Sequence, residues 1–169
     1  MTKLLRFTSS RKPFSISFRL LGLAAVMVSL TSSAALAGDG MPIEGILAVN
    51  FTRSTTSPGI FAVSANGIGN LSNVGNLSFQ LQKTLDFTAT IPTMVGTFTI
   101  TAANGDTFTG TYGGVITAPD SNGFAAFSGQ ITVTSGTGRF QGAKGSVSFS
   151  ACSNNGVAAY SFKGVLSTQ

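Results

Sequence analysis

The sequence predicts an all-β protein: one small antiparallel domain of seven or eight strands over residues 38–169, behind an N-terminal export segment of residues 1–37. Three observations lead there. Beyond residue 38, short runs alternate apolar with hydroxylated side chains, the period of a strand that buries one face. Gly, Asn and Ser cluster between those runs, as they do in turns. No stretch carries apolar residues at helical spacing over three turns.

The export segment comes first. Lys3, Arg6, Arg11, Lys12 and Arg19 precede an uncharged apolar run at 20–30, and Ala35-Leu36-Ala37 supplies the small-x-small pattern of a cleavage site. The run is shorter than the roughly 20 residues needed to span a bilayer, so a cleaved signal peptide is expected rather than a transmembrane helix in the mature protein. Cleavage is expected before Gly38. Ser10-Arg11-Lys12-Pro13-Phe14 loosely resembles a twin-arginine signal with Lys12 in the second position, so the general secretory route and the twin-arginine route both stay open. The destination is secreted or periplasmic in either case.

Strand candidates follow in order. Leu47, Val49 and Phe51 alternate with Ala48, Asn50 and Thr52. A second candidate covers 60–65. In a third, Leu77, Phe79 and Leu81 face away from Ser78, Gln80 and Gln82. The runs at 97–103 and 106–112 flank Asn104-Gly105, which predicts a hairpin with a type I′ turn. On it Phe98, Ile100, Phe108 and Tyr112 line one face and threonines the other. Further strands are expected at 125–134, 145–152 and 158–166, the last with Tyr160, Phe162 and Leu166 on one face and Gly164 at a bend or close approach between strands. That count and spacing suit a barrel or a sandwich.

The charge balance changes once the export segment is set aside. The whole chain has 10 Lys and Arg against 5 Asp and Glu, but Arg53, Lys83, Arg139, Lys144 and Lys163 then face Asp39, Glu44, Asp86, Asp106 and Asp120. The mature part is neutral, so no nucleic-acid partner is expected. Cys152, alone, has no intramolecular disulfide partner and reads as a small buried residue on a strand. Asn50-Phe51-Thr52, Asn70-Leu71-Ser72 and Asn76-Leu77-Ser78 are glycosylation triplets, relevant only in a host that modifies them.

Gly136-Thr137-Gly138-Arg139-Phe140-Gln141-Gly142-Ala143-Lys144-Gly145 resembles the G-T-G-x-F-x-G-A-x-G signature of dirigent proteins and the wider allene oxide cyclase-like barrels. The segments 67–78 and 103–107 resemble, in the same order, parts of exported bacterial proteins with this barrel. The resemblance implies an eight-stranded antiparallel barrel with an apolar interior that holds a ligand in some relatives. It implies no single activity, since relatives steer phenolic radical coupling or cyclise a fatty-acid epoxide. Gly136, Gly138, Gly142 and Gly145 read as turn and close-approach positions, with Phe140 beside them and Arg139 within reach of exposed carbonyls.

The chemistry available is sparse. The chain has no His, which excludes imidazole acid-base chemistry and His metal sites, and one Cys cannot build a thiolate zinc site. No cofactor or metal is expected. Asp106 and Asp120 read as turn residues. Glu44, Arg53 and Asp86 lie beside apolar strand residues and, with Tyr112 and Tyr160, are the candidates for lining a ligand cavity. The leading expectation is a binding or structural barrel that holds a small apolar ligand. The alternatives are a cyclase, isomerase or coupling-directing protein, and an outer-membrane barrel. Oligomeric state is open.

Overall fold

Eight strands run in sequence order around a ring and close on themselves in a computed structural model of the chain, which describes residues 40–117 and 124–168. They are β1 (Met41–Ser57), β2 (Ile60–Leu71), β3 (Gly75–Asp86), β4 (Thr93–Ala102), β5 (Thr107–Thr117), β6 (Ala125–Gly136), β7 (Lys144–Asn154) and β8 (Val157–Ser167). Each pairs antiparallel with the next, and β1 closes the ring on β8 from Met41↔Leu166 to Asn50↔Val157. The expected eight-stranded antiparallel barrel is the fold. The export segment lies outside the described residues.

Alternation decides which way every side chain points. Leu77, Phe79 and Leu81 of β3 are buried, as are Phe98 and Ile100 of β4, Phe108 and Tyr112 of β5, and Tyr160, Phe162 and Leu166 of β8. The outer face carries Thr97, Thr99, Thr111, Thr132, Ser146, Ser148 and Ser150. An apolar interior under a hydroxylated exterior is the reverse of what a lipid-facing barrel needs, because each outward hydroxyl would sit in hydrocarbon. The outer-membrane expectation therefore finds no support in the distribution of side chains. Among the described residues no helix is long and apolar enough to cross a membrane.

Eight strands closing on a filled interior must coil tightly, and inward-facing glycines permit it. Gly114 and Gly129 sit opposite one another on β5 and β6, and a Cβ on either would collide with a backbone carbonyl of the other strand. A bulge at Thr109/Gly110 adds to the bend.

Three expectations are corrected. Asn104-Gly105 does make a hairpin, but only Gly105 takes positive φ (89°), and Gly105 N–H donates to Ala102 O. This is a three-residue loop with a glycine bulge rather than a type I′ turn. The two-residue turn with both central residues at positive φ falls instead at Asn155 (47°) and Gly156 (84°), between the paired Asn154 and Val157. Cys152 is on a strand but exposed, because Ala151 takes the inward position beside it. β2 runs on to Leu71, past the expected end at residue 65, since Gly67 and Gly69 continue its inward face without apolar side chains to signal it.

Candidate functional site

The two ends of the barrel differ. The β6–β7 connection folds over one of them: Phe140 N–H donates to Thr137 O, Gln141 N–H to Gly138 O and Ala143 N–H to Phe140 O, making a single 3₁₀ turn at Gly138–Phe140. This turns Phe140 inward, where it meets Phe108 edge to face at 5.1 Å. Gly138 has φ 55° and leaves no room for a side chain against Asp106. Arg139 stacks its guanidinium on the Phe140 ring, donates to Val74 O and pairs with Asp106 at 3.7 Å. The glycine-rich segment is thus a plug, with Arg139 on an exposed carbonyl as its sequence suggested.

Above the plug the interior is filled by rings. Phe79, Phe98, Phe149, Tyr160 and Phe162 form a continuous cluster with centroids about 6 Å apart. Two voids within it measure about 10 Å³ each, room for about one water molecule.

At the opposite end small and large side chains mix: Ala125, Ala151, Ala158 and Ser153 face inward there beside Leu85, Met94, Ile116 and Phe127, and Lys83 enters from β3. Lys83, Ala125, Phe127, Ala151 and Ser153 keep 7–9% exposure, against 0–2% for Ile43, Leu71, Phe140, Ala143 and Leu166 at the plugged end. This end, the less tightly covered of the two at those positions, is termed the mouth. Residues 118–123, between β5 and β6 in the sequence, lie outside the described residues.

Lys83 is the unexpected feature. It continues the inward register of Leu77, Phe79 and Leu81, so its stem crosses apolar wall. Its Nζ donates to Tyr160 Oη at 3.2 Å and lies 4.7 Å from the centre of the Phe127 ring. Among the described residues no carboxylate pairs with it, the ion pair there being that of Arg139 and Asp106. Burial pushes the ammonium pKa down to about 8, because the charged form has lost water without gaining an opposite charge. Burial likewise pushes the Tyr160 phenol up to about 12. Tyr112 goes higher still, from burial first and then from Tyr160, and its hydroxyl has no hydrogen-bond partner among the described residues.

Of the residues singled out from the sequence, Tyr112 and Tyr160 share this interior, with Phe149 packed against both. Glu44 does not join them: it is outward and exposed on β1, its N–H donating to Ser72 Oγ. Arg53 is exposed towards the end of β1, with its guanidinium over the half-buried ring of Phe61. Asp86 is at the end of β3, where its carboxylate accepts from Thr88 N–H and Thr88 Oγ1 and is held below the usual carboxylate range by those bonds. No cluster of His, Cys, Asp and Glu suited to a metal ion is present among the described residues.

Fold and site together define a small closed β-barrel, plugged at one end, with an aromatic interior and a lysine-bearing mouth. No family model, curated protein or solved structure matches the chain.

Proposed function

We propose that this chain is an exported barrel, secreted or periplasmic, that binds a small apolar molecule at the mouth around Lys83. The observation that carries the reading is the lysine itself. An ammonium held in an apolar wall without a carboxylate destabilises the fold, and a methionine would fill the same space without that cost. Local choices that oppose folding concentrate where a protein works. Ala125, Ala151 and Ala158 are the small side chains at this end, and the packed rings below leave voids of only about 10 Å³, which keeps a ligand out of the deep interior. Export rests on the charged, apolar and small-residue layout of residues 1–37.

The second reading is a cyclase, isomerase or coupling-directing protein of the allene oxide cyclase and dirigent kind. It is favoured by the contact between the Lys83 amine and the Tyr160 phenol at 3.2 Å, a proton acceptor and donor side by side at an apolar surface. The resemblance of residues 136–145 to that group supports it, and an eight-strand barrel agrees.

Native mass spectrometry of the protein purified from its own host tests both. A reproducible co-purifying small molecule is expected. A chain that is empty after repeated gentle purification overturns the binding reading, and chemical conversion of the recovered molecule by fresh protein moves the second reading ahead.

A further inference from the structure

Among the described residues, Lys83, Tyr160 and Tyr112 bring hydrogen-bond donors to the interior next to the mouth but no acceptor of matching charge. Nζ has three N–H donors and places one on Tyr160 Oη. The Tyr160 oxygen accepts that bond, so its own O–H is left to point elsewhere, and the Tyr112 hydroxyl has no partner among the described residues. The described carboxylates are all committed away from the mouth's centre: Glu44 outside the barrel, Asp86 on Thr88, Asp106 with Arg139 at the plugged end. The Phe127 ring under the ammonium offsets part of the lost hydration, and a cation–π contact leaves the formal charge unneutralised.

From this arrangement, and resting on the reading of the mouth as a binding site, we propose that the ligand is a small monocarboxylate with an apolar body, its carboxylate seated on Lys83 Nζ. A carboxylate only accepts hydrogen bonds and carries one negative charge, which matches a donor-rich site with one cation. A phosphate brings up to two charges and three strongly hydrated oxygens against a single lysine, with Phe127, Ala125 and Ala151 as walls, and fits poorly. Those same walls take the apolar body.

The sign of the pH dependence follows. The groups that meet Lys83 are Tyr160 from β8 and Phe127 from β6, with Tyr112 of β5 reaching it through Tyr160. Both phenols stay neutral through pH 9, so Lys83 alone changes charge there. The carboxylate binds the ammonium form, and affinity falls by about tenfold from pH 7 to pH 9.

The test is calorimetric titration of the exported protein with 4-phenylbutanoate and its neutral amide, and with octanoate and octanamide, on wild type and Lys83→Met. Methionine keeps the stem's volume, and circular dichroism confirms that the variant folds. The expected result is that at least one carboxylate binds wild type tenfold or more tighter than its amide, and that Lys83→Met abolishes the preference while leaving the amide's affinity in place. Equal binding of acid and amide, unchanged in Lys83→Met, overturns the inference and leaves the mouth as a binding site for neutral molecules. Absence of binding by all four compounds at millimolar concentration overturns both.

Discussion

At the plugged end the chain uses residues 137–143 to fold inward and seat Phe140 at 1% exposure, and every polar group of that connection described above has a partner. At the mouth the links Pro58-Gly59 and Asn155-Gly156 are two-residue turns, alanines and a serine stand among the larger inward side chains, and the central cation faces aromatic rings with no carboxylate partner among the described residues. The comparison separates two placements of a charge-bearing side chain. Arg139 lies along the surface, half in water, and ties three loops together. Lys83 sits where its charge costs stability and is kept there.

Breaking the plug gives the largest effect. Phe140→Ala removes a ring packed on Phe108 and Arg139 and is expected to destabilise by about 3 to 5 kcal/mol, read as a lower midpoint in urea at unchanged slope. If the loss is under about 1 kcal/mol, the end is not held by its ring, and the contrast between the two ends fails.

The mouth gives the next largest effect, and its sign is opposite to that of an ordinary ion pair. The Lys83 pKa falls from 10.5 to about 8 on folding. Between those values the unfolded chain holds a proton that the folded chain has released, so raising the pH favours folding. Lys83 contributes about 2 kcal/mol of stability from pH 8 to pH 10, and the two phenols, which begin to ionise in the unfolded chain over the same range, hold the net climb to about 1 to 1.5 kcal/mol. Beyond pH 10 it falls, because Tyr112 and Tyr160 ionise more readily unfolded than folded. In Lys83→Met the climb disappears and the fall remains. Denaturation midpoints measured across pH 7 to 11 check this, and an identical profile in the variant shows that Lys83 is not the source.

The smallest effect sharpens the contrast. Arg139→Ala loses the bond to Val74 O and the contact with Asp106, but with 44% of the side chain exposed the expected loss is about 1 kcal/mol and diminishes further in high salt. Equilibrium unfolding at low and high salt measures it. A loss as large as that of Phe140→Ala makes the arginine, not the ring, the keystone of the plug.

Period-two alternation made most of the barrel legible, because burial of one face is written directly into residues such as Leu77, Phe79 and Leu81. Strand ends were less so: Gly67 and Gly69 face inward yet bear no apolar side chain, and Asn66-Gly67 has the composition of a turn while lying within β2. The same ambiguity misassigned the turn type at Asn104, whose φ is negative, and passed over Asn155-Gly156. The candidate site was half legible. Tyr112 and Tyr160 stood out as inward phenols, whereas Lys83 was counted only as one of five bases. Carrying the β3 pattern two residues past Leu81 reaches it, and a charge on the apolar parity of a strand was the available signal. Glu44 and Asp86 entered as cavity candidates only through their apolar neighbours, with no such parity behind them. Glu44 alternates with Ile43, which takes the buried position.

Seven of the strand pairs join neighbours along the chain, and the eighth joins the first strand to the last. Local hairpins can form as soon as their two strands are available, but the seam from Met41 to Leu166 waits for β8. Until then the sheet has two bare edges, β1 and whichever strand was added last, each offering unpaired backbone to a neighbouring chain. Closure of that seam is the moment at which the protein stops being adhesive, and a fault in β8 bares β1 from Met41 to Asn50 together with the facing edge of β7.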